Sequence, residues 1–244
     1  MPDALDGARL AAGLKTPVRL LARCTSTNAL AREMGHAGAP HSQLVVAEHQ
    51  TAGRGRQGRT WDAKPGENLL FSLLLRPPLP PRDAPLLCLA AAVALAETLD
   101  LGIKWPNDLL DPQERKVSGI LAEMEARPGR LAFVVLGVGV NVNQAAFPPE
   151  LPRAASLAMR DGPQDRTALL LRVVPAILAR CAQLQADRVG VLDAWRGRAV
   201  TLGRRVRVGA VEGVARALQE DGGLVVDTAQ GPRVVLAGDV EMVG

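Results

Sequence analysis

A short loop of arginines and glycines is the part of this chain best suited to chemistry. Residues 53–59 hold three arginines and three glycines, and Trp61 follows closely. Glycine lets a backbone bend tightly and approach a ligand, and arginine offers a permanent charge with a planar set of donors for phosphate or carboxylate oxygens. This composition predicts a loop that closes over a polyanion such as a nucleotide, beside an indole that can stack on a purine.

The same loop matches the glycine spacing of a dinucleotide-binding fingerprint, because Gly53, Gly55 and Gly58 fit GxGxxG. That fingerprint must open a helix whose N-terminus meets the pyrophosphate. Residues 60–68 contain Trp61, a proline and a glycine and have no helical face, so we reject this interpretation. The remaining alternative is a surface loop with its arginines in solvent.

Two lysine-containing segments carry further polar groups. Residues 104–108 read Lys-Trp-Pro-Asn-Asp at the end of an apolar stretch, which presents Asn107 and Asp108 at a strand tip. Asp108 can bind Mg²⁺ beside phosphates, or the pair can form a turn held by its own side-chain hydrogen bonds. Lys116 leads into a buried strand, where it either neutralises reacting anions or is a solvated lysine.

Two more segments combine polar side chains with small residues. Gly137 and Gly139 lie inside a predicted strand, which marks close approach by a ligand or another backbone, with Asn141 able to donate to a phosphate or ribose. A tight sheet contact is the alternative. Residues 26–28, Ser-Thr-Asn, either cap a helix or hydrogen-bond a cyclic amide or urea.

The elements that must position these residues follow from apolar runs and turn signals. We predict a helix over residues 26–35 and, after it, a strand at 43–49 running into the arginine loop. The remaining expectations are a short helix at 4–14, strands at 18–21, 68–75, 117–125 and 131–142, a strand ending near 104, and helices at 84–99 and 167–185. From residue 200 onward, short alternating strands separated by glycines predict a small β-barrel.

Composition sets wider limits. The chain has 244 residues and is 48% hydrophobic, which fits one large domain or a main domain with a small appendage. Its net charge of +4 either favours an anionic partner or reflects background composition. Three widely spaced cysteines predict neither a disulfide framework nor a zinc site, and favour a reducing, cytoplasmic location. The apolar run at 86–95 is too short to span a bilayer, so no membrane partner is expected.

The order of these motifs resembles that of the biotin protein ligases. The resemblance rests on residues 26–28, Gln50, residues 53–59 with Trp61, and the segments at 104–108, 116–120 and 137–141. It implies an α+β fold with a mixed sheet like that of class II aminoacyl-tRNA synthetases, over residues 1–196, and an SH3-like barrel over 197–244. Bifunctional members carry a DNA-binding domain before the Ser-Thr-Asn segment; only 25 residues precede Ser26, so the monofunctional type without DNA binding is expected.

The resemblance also implies substrates and residue roles. Biotin and ATP would form biotinyl-5′-AMP with Mg²⁺ present, and the biotin would pass to a lysine of a biotin carboxyl carrier protein. Lys116 and Arg56 would be the catalytic cations. Biotin would be bound by Ser26, Thr27, Asn28, Gln50, Arg54, Gly55, Arg56 and Lys116. The nucleotide would be bound by Arg56, Arg59, Trp61, Asn107, Asp108 and Asn141, with Asp108 also predicted as the Mg²⁺ ligand. Members often pair through a sheet edge, so a homodimer is an open expectation.

Two rival functions remain. A lipoate-type ligase or octanoyltransferase shares the fold and the transfer of an acyl group to lysine, but a route through a thioester needs a placed cysteine, and Cys24, Cys88 and Cys181 lie in no matching motif. A nucleic-acid-binding module fits the basic charge. Stacking on single strands needs aromatic residues on a basic sheet, and residues 200–244 contain none.

Overall fold

The computed structural model describes residues 4–243, so the outermost ends of both predicted domains, residues 1–3 and 244, lie outside the described residues. Within this range the chain forms a seven-stranded sheet, a five-stranded sheet and six α-helices. The helices are α1 Gly7–Gly13, α2 Thr27–His36, α3 Ala84–Leu99, α4 Ala158–Asp161, α5 Arg166–Ala186 and α6 Arg188–Arg198.

The larger sheet is mixed, as predicted. Its strands are β1 Val18–Leu21, β2 Gln43–Ala47, β3 Leu69–Leu75, β4 Gly102–Lys104, β5 Asp108–Leu110, β6 Lys116–Arg127 and β7 Arg130–Val140. They lie in the order β1-β2-β3-β7-β6-β5-β4. Only β1 and β2 pair in parallel among these strands of the described chain; the other neighbours are antiparallel. The short strand β5 was not predicted.

The two faces of this sheet are covered by different helices, because successive strand side chains point to opposite faces. On one face Val45, Leu74 and Phe133 pack against α2. On the other face Leu44 and Leu73 belong to the main core together with the buried residues of α3. The sheet is therefore a central layer, and the side facing α2 is the side on which the polar motifs meet.

Helices α3 and α5 build the outer layer of the main core. The predicted apolar run lies within α3, which is buried along almost its whole length. Among the described helices, α5 alone is long and apolar enough to cross a membrane by length and composition. A stripe of α5 faces the core: Leu169, Leu170, Val173, Val174 and Ile177. Core helices of soluble proteins share this length and composition, and this stripe of α5 is buried.

The chain ends in an antiparallel sheet of five short strands within the described residues. These are β8 Arg205–Val208, β9 Val211–Leu218, β10 Leu224–Thr228, β11 Gly231–Val235 and β12 Glu241–Met242, in the order β11-β10-β9-β8-β12. The predicted run of short strands is confirmed, whereas the closed SH3-like barrel stays a prediction. The predicted boundary between residues 196 and 197 falls inside α6, a helix that the sequence pattern did not reveal.

Candidate active site

One cavity of about 180 Å³ on the α2 side of the sheet gathers the residues that the sequence singled out. Its lining includes Ser26, Thr27, Asn28, Gln50, Arg54, Gly55, Arg56, Arg59, Trp61, Asn107, Asp108, Lys116 and Asn141. These residues come from the start of α2, the arginine loop, the turn between β4 and β5, and the strands β6 and β7. The structure thus brings together every predicted site residue, although their roles stay predictions.

The start of α2 forms the polar end of the cavity. Ser26 is the N-cap, and its hydroxyl accepts a hydrogen bond from the Ala29 amide at 3.5 Å. Gln50 Oε1 accepts from the backbone amide of Thr27 at 2.7 Å and lies 3.1 Å from the Thr27 hydroxyl. Thr27 and Asn28 are almost fully buried. Capping and pocket lining therefore coexist in this segment, and the polar groups are held in place by one another.

The Trp61 indole lies flat on a pair of glycines. Gly119 of β6 and Gly139 of β7 are directly opposite each other in the sheet. A Cβ built on Gly139 would lie 2.4 Å from Cε2 of Trp61, and one on Gly119 would lie 3.0 Å from Cζ3. The strand glycines were predicted to admit a ligand or another backbone; the structure instead places a side chain of the same chain there. The Trp61 Nε1 group is buried without a hydrogen-bond partner in the described chain.

The other strand glycine, Gly137, makes room in the same way for Asn28. A Cβ on Gly137 would lie 2.1 Å from Asn28 Oδ1. Directly after β7, Asn141 is 5% exposed and its Nδ2 donates to the Ala155 carbonyl at 3.0 Å. The predicted phosphate-binding amide is therefore engaged with the backbone of the loop that follows.

A lysine and a carboxylate form an ion pair in the cavity lining. Lys116 Nζ lies 2.6 Å from Asp108 Oδ1 and 5.6 Å from the centre of the Trp61 ring. Both residues begin strands, β6 and β5, which pair with each other. The Asp108 carboxylate holds the Lys116 ammonium over the Trp61 indole. An anionic ligand in the cavity would meet the ammonium there.

Lys104 is a cation near this pair that the sequence interpretation did not single out. It lies opposite Asp108 in the pairing of β4 with β5. Burial lowers the pKa of the Lys104 ammonium, an effect that the nearby Asp108 opposes. Lys104 is the first residue of the Lys-Trp-Pro-Asn-Asp segment, and this position is the sequence signal for it. From that segment only Asn107 and Asp108 were predicted as site residues.

The arginine loop is closed on the rest of the chain. Gly55 donates its amide to the Arg59 carbonyl at 2.7 Å, so the two sides of the loop pair with each other. Arg56 Nη1 donates to Asn107 Oδ1 at 2.9 Å, and its Nη2 donates to the Gly238 carbonyl at 3.2 Å. Arg59 forms an ion pair of 2.8 Å with Asp239. The loop contains a short 3-10 turn at Arg56–Gly58, and in the described chain no α-helix follows it before α3, which agrees with the rejection of a dinucleotide fingerprint.

The three cysteines lack the environment of an activated thiol. Burial raises the pKa of Cys88 and of Cys181 to about 12 each, and it also raises the pKa of Cys24. Nucleophilic cysteines in enzymes have lowered pKa values, because the thiolate is the reactive form. The structure therefore offers no support for acyl transfer through a cysteine thioester.

Comparisons with known proteins decide the family. The model of the biotin/lipoate A/B protein ligase family matches residues 20–141, and that of the biotin protein ligase C-terminal domain matches residues 197–243. The chain belongs to the biotin/lipoate protein ligase family. It is similar to the biotin–[acetyl-CoA-carboxylase] ligase of Mycobacterium tuberculosis, with 37% identity over 91% of this chain and 87% of the relative.

Two further relatives of this ligase family extend the likeness. The bifunctional ligase/repressor BirA of Bacillus spizizenii is 33% identical over 99% of this chain and 80% of the relative. The biotin protein ligase from Aquifex aeolicus in complex with biotin and ATP is 30% identical, with a TM-score of 0.78 over 94% of this chain and 99% of that one. The likeness thus includes the central sheet and the C-terminal sheet together.

Proposed function

We propose that this chain is an ATP-dependent ligase that activates biotin as biotinyl-5′-AMP and transfers it to a lysine of a biotin carboxyl carrier protein. The observation that carries the proposal is a single cavity in which a polar helix start, a loop of three arginines and the Lys116–Asp108 pair face one another. The Aquifex aeolicus relative was solved with biotin and ATP, and relatives are named as ligases of acetyl-CoA carboxylase, which supports these substrates and this partner.

In the first half-reaction a carboxylate oxygen of biotin attacks the α-phosphorus of ATP. A new oxygen–phosphorus bond forms, the bond to the bridging oxygen breaks, and pyrophosphate leaves with its electron pair. Two anions must meet, so fixed cations in a site shielded from water lower the barrier. Lys116 and Arg56 are the catalytic residues of the proposal, because both line the cavity where the two anions would join.

The remaining lining residues divide by chemistry. The polar start of α2 and the first part of the arginine loop suit the urea ring and acid group of biotin: Ser26, Thr27, Asn28, Gln50, Arg54 and Gly55. Other lining groups suit the phosphates and the base of the nucleotide: Arg56, Arg59, Trp61, Asn107, Asp108 and Asn141. The Asn141 amide nitrogen gives one of its two hydrogens to the Ala155 carbonyl, and the other can be donated to a phosphate.

Magnesium fits this site as a companion of the nucleotide. Mg²⁺ prefers oxygen ligands and is commonly held by one or two carboxylates together with phosphates. Residues 4–243 contain no group of three His, Cys, Asp or Glu residues that could hold a metal, and Asp108 is already paired with Lys116. Asp108 would thus be one protein ligand beside phosphate oxygens, and the bound ion would neutralise phosphate charge.

In the second half-reaction the amine of the acceptor lysine attacks the acyl carbonyl of biotinyl-5′-AMP. A carbon–nitrogen bond forms, the mixed anhydride breaks, AMP leaves and the amine loses a proton. We assign both steps to a catalytic domain over residues 1–196, followed by a C-terminal domain over 197–244. The cytoplasmic location, the homodimer and the lack of DNA binding stay predictions.

The nearest rival is a lipoate-type ligase, since the family model covers both activities. The match of residues 197–243 to the biotin protein ligase C-terminal domain favours biotin. The test incubates the protein with radiolabelled ATP, Mg²⁺ and either biotin or lipoate, and follows the acyl-AMP. We expect acyl-AMP with biotin only. Acyl-AMP with lipoate only would establish the rival, and no ATP consumption with either acid would refute the proposal.

A further inference from the structure

Glu123 joins two parts of the candidate site without lining the cavity itself. It lies on β6, two residues beyond Leu121 on the same face of the sheet. Its Oε2 accepts a hydrogen bond from Asn28 Nδ2 at 2.6 Å and lies 3.2 Å from Arg54 Nη2. One carboxylate oxygen thus connects the start of α2 with the first arginine of the loop.

The contact with Glu123 fixes how Asn28 presents its amide. An ionised carboxylate can only accept hydrogen bonds, so the nitrogen of the Asn28 amide must face it. The oxygen end then points to the Ser72 hydroxyl, 2.6 Å away, over the space that Gly137 leaves open. Asn28 is 4% exposed and lines the cavity. Because its nitrogen donates to Glu123 and to the Leu121 carbonyl at 3.4 Å, its oxygen is the end of the amide left to accept from a ligand.

The contact with Arg54 fixes where the arginine loop begins. Arg54 is bridged through its backbone to Thr60, the residue before Trp61. Holding Arg54 on β6 therefore also limits where Trp61 can lie on its two glycines. The sequence motif gives no sign of this link, because Glu123 lies 69 residues from Arg54 and 95 from Asn28.

We propose that Glu123 is a positioning residue for biotin binding, acting through Asn28 and Arg54. Its carboxylate holds the nitrogen of the Asn28 amide, so that the amide oxygen lies over Gly137 in the cavity lining, and it anchors the arginine loop beside it. The proposal rests on the proposed function, since it takes biotin as the ligand. The step that it governs is the binding of biotin.

The test measures biotin affinity by calorimetry without nucleotide, for the full chain and its variants. Glu123→Ala removes a charged hydrogen-bond acceptor, so we expect biotin to bind about tenfold more weakly or worse. Glu123→Gln keeps an acceptor for Asn28 and loses the ion pair with Arg54, so we expect a loss of about two- to fivefold. The matched control is Glu125→Ala, two residues along β6, whose carboxylate pairs with Arg32 at 3.1 Å outside the cavity; its affinity should equal that of the unchanged protein.

A double-variant cycle separates positioning from loss of structure. In the Glu123→Ala background, Asn28→Ala and Arg54→Met should each weaken binding less than they do alone, because they act through the same contact. Fully additive losses, or a Glu125→Ala loss as large as that of Glu123→Ala, would overturn the positioning role. Should Glu123→Ala not fold, normal biotin affinity in Glu123→Gln would overturn it. If the unchanged protein binds no biotin, the proposed function is refuted, and this inference is refuted with it.

Discussion

The Trp61 indole fills the space that a side chain at position 139 would need, so only glycine fits there. A Cβ at Gly139 would stand 2.4 Å from Cε2 of the indole, closer than real carbon atoms approach. Gly119, opposite Gly139 in the sheet, leaves similar room. The two strands are therefore shaped around the ring, and the ring in turn forms part of the cavity wall.

Gly139→Ala should push the indole off the sheet. If Trp61 stacks on the adenine of ATP, the KM for ATP should rise by about tenfold, since stacking of a base on an aromatic ring is worth roughly 1–3 kcal/mol. The measurement is pyrophosphate release at varied ATP. Gly197→Ala is the control, because a Cβ there meets nothing within 4 Å. An unaltered KM in Gly139→Ala would argue against a role of Trp61 in nucleotide binding.

Lys116→Ala should slow adenylate formation by at least 100-fold, equivalent to about 2.7 kcal/mol of barrier. The ammonium held by Asp108 is the cation that the reacting carboxylate and phosphate would meet. Single-turnover formation of biotinyl-5′-AMP measures the step directly. Lys64→Ala, which changes an exposed lysine, should be as fast as the unchanged protein. A Lys116→Ala variant with near-normal pyrophosphate release would remove Lys116 from the mechanism.

Elements with strong local signals could be predicted from the sequence, whereas others, among them α6 and β5, could not. The cap at Ser26 and the apolar run of α3 are local features, and both helices are present. Helix α6 contains Gly190 and Gly197, which weaken a helix, and it is held by burial of Trp195 against the rest of the chain. Strand β5 has three residues and exists because it pairs with β6. Packing and pairing of this kind are not visible in a local pattern.

The same limit applies to the candidate site. Residue types and spacing sufficed to name the groups that line the cavity, since each motif carries its own chemistry. The hydrogen-bond partners of these groups could not be predicted from the sequence. Arg56 and the Gly238 carbonyl, for example, are 182 positions apart. The link from Glu123 to Asn28 was missed for the same reason. Contacts made by folding decide how these side chains are held, and the sequence motif gives only their identities.

Arg56→Gly should let the activated intermediate escape. Arg56 ties the loop to Asn107 and to the Gly238 carbonyl, and glycine can make neither contact. Free biotinyl-5′-AMP would then acylate bystander lysines. The measurement is biotin incorporation into serum albumin mixed with a carrier domain, detected with streptavidin. Arg130→Gly, at the exposed tip of the β6–β7 hairpin, should leave albumin unlabelled. Strict acceptor selectivity in Arg56→Gly would contradict the role of the loop as a clamp.

Glu48→Ala should lower the free energy of unfolding by roughly 3 kcal/mol, because it takes a charged partner away from a fully enclosed guanidinium. Glu48 Oε2 lies 2.7 Å from Arg166 Nη1, and the Arg166 side chain is fully enclosed. Urea denaturation followed by circular dichroism gives the value. The comparison is Glu97→Ala, whose partner Arg180 lies at the surface, and which should cost less than about 1 kcal/mol. Equal losses of unfolding free energy in both variants would show that the enclosed ion pair of Arg166 stabilises the fold no more than the exposed pair of Arg180.

The thiols of Cys88 and Cys181 should resist labelling in the folded protein. Burial raises the pKa of each to about 12, so at pH 8 about one thiol in ten thousand is a thiolate, against about one in four for an ordinary cysteine. A raised pKa lowers the reactive fraction at every pH below it, so labelling should stay slow up to pH 9 and become fast for all three cysteines in urea. Absorbance after addition of a disulfide reagent measures both rates. Rapid labelling of Cys88 in the folded chain would reveal an activated thiol and make transfer through a thioester possible again. Slow labelling would support direct attack by the acceptor lysine, a route that needs no thiol.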